Sequence, residues 1–431
     1  MNPELSGKRL LILGGSLWKK AIKDFAAENN ITLIATGNDQ SAGIFEIADE
    51  KFSVNSTDPE AMKKLIRDAK IDGVYMGGSE PVISSACQYI NDLGLPCYCT
   101  HEQWEYLQNK RNFKDLCVKH GLPVTPRYTR EDLMQGNEDL FPVITKPADG
   151  CGSSGFSICR KPDELDNGIE LARRNSPSNT EIIEKYVSND AVCVFYTFSD
   201  GRGIFSGSED KYPVKYPNGG FVGGLYIFRS FEEASFRQKY EDSILALFED
   251  IGVKEGCIWI EIFRDRGNYY FNEIGYRVGG TVSVFPVAYM SGYNQVATDV
   301  YYALTGKSVL LTRPSLIMDD IPRDRKYCVY TVHVRPGIVG SYEGESQLIE
   351  KHPNIVTIAR TKNIGSLVPD TGTFAQVAAL IHFVYKDNEE LRQTIDDIHK
   401  YLLIRNTNGE NMIMRMVDDQ QVSRIEKGYC L

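Results

Sequence analysis

Long apolar runs are scarce in this chain. The first, Leu10–Leu13, is too short for a secretory h-region or a membrane span. No membrane partner is expected. A basic excess is also missing: 48 Lys and Arg stand against 58 Asp and Glu, a net charge of −10. That balance argues against a general nucleic-acid binder, although a local basic groove for an anionic ligand stays open. Histidines number only six and are dispersed, and the ten cysteines are scattered. Cys97-x-Cys99 has no second ligand pair nearby in the sequence, so no zinc site is expected. Cysteines inside apolar segments, such as Cys193 within Ala191–Phe198, read as reduced core residues of a cytoplasmic protein. G-x-G-x-x-G and Walker A spacings are absent, as are internal repeats and any convincing Ser/His/Asp or Cys/His set.

What is present is an ordinary globular composition, 42% hydrophobic and 25% charged over 431 residues, enough for two to four subdomains. Residues 8–100 alternate strand and helix patterns. Strand runs at Lys8–Leu13, Ile31–Ala35 and Ile71–Met76 end in turn-forming residues, and Asp58-Pro59-Glu60 reads as a helix start. This predicts a doubly wound α/β domain. Residues 101–120 read as one helix, closed by Gly121-Leu122-Pro123. A strand over Phe141–Pro147 places Lys146 near its end. The loop Gly150-Cys151-Gly152-Ser153-Ser154-Gly155 follows, rich in potential backbone and hydroxyl donors for phosphate. Glu181–Val187 and Ala191–Phe198 are further strands. Gly207–Gly224, with five glycines and two Tyr-Pro pairs, reads as a long loop carrying Lys211 and Lys215. A helix follows over Phe231–Ile251. Val287–Thr305 is an apolar helical stretch, and residues 308–431 form a mixed segment.

The strongest signal lies between Cys257 and Gly280. Two apolar and aromatic runs, Ile258–Phe263 and Tyr269–Ile274, flank the turn-forming Arg264-Asp265-Arg266-Gly267-Asn268. A hairpin centred on Gly267 sets Glu261 opposite Glu273, both on one face, while strict alternation sends Asn272 to the other. Opposed like charges destabilise a sheet, and a divalent cation between them removes that penalty. The alternative is a solvated face with two incidental acids, and the hairpin alone does not choose.

Lys110, Lys146 with its Gly/Ser loop, Glu184-Lys185-Tyr186-Val187 and the Glu261/Glu273 hairpin occur in an order that resembles the ATP-grasp superfamily over about residues 8–310. The patterns are most similar to its carboxylate–amine ligases and to the carbamoyl-phosphate synthetase large subunit. The resemblance implies a pre-ATP-grasp α/β domain (1–105), a two-part ATP-grasp domain (106–310, lid about 125–190) and a C-terminal mixed α/β subdomain (311–431). It implies ATP and Mg²⁺ or Mn²⁺ as cofactors. Lys110 and Lys146 would contact ATP phosphates under a loop holding Ser153, Ser154 and Gly155. Glu184, Lys185 and Val187 would meet the adenine, and Asp190 the ribose. Glu261 and Glu273 would ligate the metal, with Lys146 and Arg277 as catalytic residues. The implied activity joins a carboxylate, activated as an acyl phosphate, to an amine such as an amino acid or amino sugar derivative. A carbamoyl- or carboxyphosphate-type enzyme and a catalytically impaired ATP-binding protein are the alternatives. The family reads E-x-N-x-R where this chain has Glu273-Ile274-Gly275-Tyr276-Arg277, so Gly275 lacks a third metal ligand. Lys211, Lys215 and Arg229 are candidates for holding the substrate carboxylate, and the family suggests a homodimer.

Overall fold

A computed structural model describes residues 2–135, 138–149, 155–187, 191–217, 220–265, 267–312 and 324–426. The chain opens with β1 (Arg9–Ile12), α1 (Lys19–Asn29), β2 (Thr32–Thr36), β3 (Glu50–Phe52), α2 (Pro59–Asp68), β4 (Gly73–Tyr75) and α3 (Glu80–Asp92). The four strands form a parallel sheet in the order β3-β2-β1-β4, the doubly wound arrangement expected from the alternating patterns. The helix start at Asp58 is as read: its carboxylate accepts from the Ala61 amide at 3.1 Å, with Pro59 at the first helical position. Such a cap is worth about 1 kcal/mol.

The helix expected over 101–120 is two helices, α4 (His101–Gln108) and α5 (Lys110–Lys119). Asn109 divides them. Its backbone is extended and its side chain caps α5 by accepting from the Arg111 and Asn112 amides. Periodicity missed the break because Trp104, Leu107, Phe113 and Leu116 stay buried on both sides of it. After the short α6 (Arg130–Met134) comes a small antiparallel sheet, β6-β5-β7, built from β5 (Val143–Pro147), β6 (Ser157–Cys159) and β7 (Glu181–Lys185). The helix α7 (Leu165–Arg174) closes it, and Leu133, Val143, Leu165, Ile169 and Ile183 form its own core.

The large sheet has the order β12-β11-β8-β9-β10-β13-β17-β15, every pair antiparallel. Its first strands are β8 (Ala191–Ser199), β9 (Arg202–Lys215) and β10 (Phe221–Phe228). The helix α8 (Glu233–Asp250) then leads to β11 (Gly256–Asp265) and β12 (Asn268–Gly275). The segment expected as a loop, 207–224, therefore lies mostly in two long strands. Its glycines make room for neighbours: a Cβ at Gly223 would sit 2.1 Å from the Tyr226 hydroxyl oxygen. Glycine content here reflects crowding, not chain freedom.

The apolar stretch after the hairpin is also divided, into α9 (Val284–Ser291) and α10 (Gln295–Thr305), by Gly292 in the left-handed region. Further on lie β13 (Lys326–Val334), β14 (Gly337–Glu343), α11 (Glu345–Lys351), β15 (Ile355–Arg360), β16 (Leu367–Val368), β17 (Val377–Tyr385) and α12 (Asn388–Tyr401). Three of these strands continue the large sheet, so a single sheet runs from the carboxylate hairpin to the C-terminal region. No helix among the described residues is long and apolar enough to cross a membrane.

Candidate active site

The hairpin forms in the expected register, with Glu261 paired to Glu273 and Trp259 to Gly275. One residue departs from alternation. The next partner of Phe271 is Ile262, which leaves Asn272 as the extra residue of a β-bulge. The bulge turns Asn272 toward the two glutamates: its Nδ2 donates to Glu261 Oε1 at 2.9 Å, and its Oδ1 accepts from Lys146 Nζ at 2.9 Å. This corrects the expectation that Asn272 faces away. The Asn272 amide now bridges Glu261 and Lys146 in the hairpin's carboxylate face.

Four lysines close on these groups. Lys110, the first residue of α5, reaches Glu273 at 3.4 Å, and Lys211 on β9 reaches Glu261 at 3.1 Å. Lys146 at the end of β5 reaches Glu184 on β7 at 2.9 Å. Lys114, one helical turn beyond Lys110, is ion-paired to the other oxygen of Glu184 and donates to Thr125 Oγ1 at 2.9 Å. The Lys114–Glu184 pair is fully buried. Burial lowers the Lys114 ammonium to about 7, helped by the charge of Lys146 and opposed by Glu184. Burial works against the Glu184 anion too, yet Lys146 and Lys114 hold its carboxyl at about 2. Glu273 follows the same logic: burial opposes ionisation, but Lys110, Lys146 and Lys211 bring its carboxyl below the usual range.

Lys110, Thr125, Lys146, Glu184, Lys211, Glu261, Asn272 and Glu273 line one cavity of about 310 Å³, within the range of small-ligand sites, and Lys114 lies behind Glu184. Lys185, Val187, Trp259 and Phe263 line it as well. Arg277 lines it too, and its Nε donates to Glu80 Oε1 at 3.1 Å while its guanidinium lies 5.2 Å from the centre of the Trp259 ring. Glu80 begins α3, so the N-terminal domain holds this arginine in place.

Gly275 also has a local cause. A Cβ there would fall 2.2 Å from Trp259 Cε2 and Nε1, so the indole occupies the place of a side chain at 275. The Trp259 Nε1 is buried with no hydrogen-bond partner among the described residues. A donor thus stands where the resemblance expects a ligand.

The other expected residues are placed as follows. Gly155 adopts a positive φ of 74° tight against Asn175, which lines the cavity. Lys215 is exposed at the end of β9, its ammonium 5.8 Å over the Phe221 ring, and Arg229 is exposed; neither lines the cavity. Ser153, Ser154 and Asp190 lie outside the described residues. Glu184 does line the cavity, but its carboxylate is committed to the two lysines. The sequence reading missed Lys114, Glu80 and Thr125. Only Lys114 left a signal there, its i,i+4 spacing from Lys110.

Residues 109–193 match the family described as "Carbamoyl-phosphate synthase L chain, ATP binding domain". The formate-dependent phosphoribosylglycinamide formyltransferase of Wolinella succinogenes is 22% identical over 280 residues, 62% of this chain and 70% of that protein. The crystal structure of L-amino acid ligase from Bacillus licheniformis superposes with a TM-score of 0.72 at 19% identity, covering 94% of this chain and all of that one. The biotin carboxylase domain of the Hydrogenobacter thermophilus 2-oxoglutarate carboxylase, in complex with MgADP, ADP and bicarbonate, gives 0.74 at 16% identity, covering 98% and 95%. The resemblance to the ATP-grasp superfamily therefore extends through sequence and structure, and the fold is the ATP-grasp fold.

Proposed function

We propose that this chain is an ATP-dependent ligase that activates a carboxylate as an acyl phosphate and joins it to an amine, releasing ADP and phosphate. One observation carries the reading: a single cavity in which Glu261, Glu273 and the Asn272 amide oxygen face Lys110, Lys146 and Lys211. This donor set fits Mg²⁺, a hard cation that prefers oxygen ligands and few protein groups. When bound, the ion would neutralise charge on phosphoryl oxygens.

The chain's own residues supply the rest. Lys110 and Lys146 would exchange their present partners for phosphate oxygens. Glu184 would keep Lys146 and Lys114 in place, while the adenine lies along the backbone of 185–187. The substrate carboxylate attacks the γ-phosphorus as the bond to ADP breaks. The amine nitrogen then attacks the acyl carbon, phosphate leaves with the bonding pair, and the nitrogen loses its proton. Arg277, beside Trp259 and held by Glu80, would face the oxyanion formed in that step. Lys211 is the retained candidate for the substrate carboxylate, since it lies in the cavity. The described part of 125–190 is proposed as the lid that shields the acyl phosphate from water. A homodimer is proposed by analogy with the Hydrogenobacter domain, which is described as a dimer.

The decisive experiment measures ADP release over a matrix of acids and amines with Mg²⁺, followed by mass analysis of products. The expected result is Mg²⁺-dependent ADP release for one pair, with an amide product. Bicarbonate belongs among the acids because the Hydrogenobacter domain is in complex with it; release with bicarbonate alone would favour the carboxyphosphate reading. ATP binding without turnover for any pair would overturn the ligase reading.

A further inference from the structure

A second cluster of ligand atoms lies in the N-terminal domain, apart from the cleft. Cys97 and Cys99 sit on the segment between α3 and α4, and α3 brings Cys87 against them. The three sulfurs all lie within 4.8 Å of one another, with Cys87 Sγ 3.2 Å from Cys99 Sγ. The Met76 thioether is 4.0 Å from Cys87 Sγ. Cys87 and Cys99 are buried in the apolar core of the domain, whereas Cys97 is only partly covered and offers a route from solvent. This grouping is not legible in the sequence, because the third thiol comes from a helix ten residues upstream.

We propose that Cys87, Cys97 and Cys99 form a binding site for one thiophilic d¹⁰ cation, Zn²⁺ or Cu⁺. The geometry suits it. A metal–sulfur bond of about 2.3 Å places three ligating sulfurs about 4 Å apart in a trigonal site, close to the spacing found here. The donors are chemically soft: thiolates and a nearby thioether select such ions over Mg²⁺, which keeps the site distinct from the oxygen donors of the cleft. Each ligating thiol passes its proton to solvent as its sulfur–metal bond forms, so no oxidant or reductant is involved.

The site adjoins one residue that grips Arg277 and one that precedes it in the chain. Tyr98, between two of the ligands, accepts at its carbonyl oxygen from the Tyr276 hydroxyl at 2.8 Å, and Tyr276 precedes Arg277. Glu80, which grips Arg277, lies about two turns before Cys87 on α3.

The test uses the full chain, reduced and freed of metal. Cd²⁺ serves as the optical probe and is expected to give a sulfur-to-metal charge-transfer band that saturates at one equivalent. Zn²⁺ and Cu⁺, the latter delivered from a chelator, should each displace it, and their competition identifies the preferred ion. C87S and C99S should lose the band, whereas C159S, on β6 of the small sheet, should keep it. Because buried substitutions can unfold the domain, alkylation of the wild-type protein gives a second readout: Zn²⁺ should slow labelling of Cys97 at least tenfold in peptide mapping. A missing band, a band that survives in folded C87S/C99S, or a Cys87–Cys99 disulfide in the freshly isolated protein would each overturn the site.

Discussion

The two sheets that form the cleft meet their charges in opposite ways. On the small sheet, the Glu184 carboxylate is fully buried and permanently held by Lys114 and Lys146. On the large sheet, Glu261 and Glu273 stay partly accessible, each facing one lysine at more than 3 Å. A buried pair is costly to break because the remaining charge has no solvent. A looser pair can exchange partners. The small sheet is thus built to orient its lysines, and the large sheet to release its carboxylates to an incoming cation.

Substitutions can break that contrast. The largest effect is expected for Glu273→Gln, with Mg²⁺-dependent ADP release falling about 10²–10³-fold or more and the melting temperature nearly unchanged. Equal turnover would remove Glu273 from the metal. On the other sheet, Lys114→Met should destabilise the fold by about 3 kcal/mol, read in urea unfolding. A stability loss below about 1 kcal/mol would show the pair to be weaker than its burial implies.

Asn272→Ala is expected to raise the Mg²⁺ concentration needed for half-maximal rate about 10–100-fold without a large stability change. An unchanged requirement would leave the bulge with no part in metal binding. Gly275→Asn should cost about 1–3 kcal/mol through collision with Trp259 and bring no gain in rate. If it raised the rate, the indole would not be the reason for glycine there.

A pH-dependent effect concerns Glu209, a neighbour of Lys211 on β9. Burial raises its carboxyl to about 8, and its Oε2 has no hydrogen-bond partner among the described residues. A carboxyl raised in the fold contributes stability that is complete below its unfolded value near 4.3 and lost as pH rises through about 8. Glu209→Gln should therefore raise the melting temperature at pH 8 but not at pH 5. Equal shifts at both pH values would mean that Glu209 is ionised in the fold.

What could be read from the sequence follows from which patterns are local. The strands, the parallel N-terminal domain and the Glu261–Glu273 opposition rest on alternation and turn chemistry, which act over a few residues. The bulge at Asn272 leaves no mark on that alternation, because an extra residue shows only against its partner strand. The strands around Lys211 were hidden by glycines that serve packing. Lys211 was expected on a loop, and β9 instead carries it into the cavity. Cys87, Glu80 and Trp259 gain their roles only when separate elements meet.

The ion pairs in the cleft have a further consequence, for the salt response of binding. Lys110, Lys146, Lys185, Lys211 and Arg277 stand against Glu80, Asp149, Glu184, Glu261 and Glu273 along its lining, so the cavity is nearly neutral before any ligand enters. Magnesium–nucleotide carries only a small net charge. Its entry would exchange one set of internal partners for another and draw little on long-range attraction. Association should then depend weakly on ionic strength, unlike that of a protein that captures anions with an open basic face.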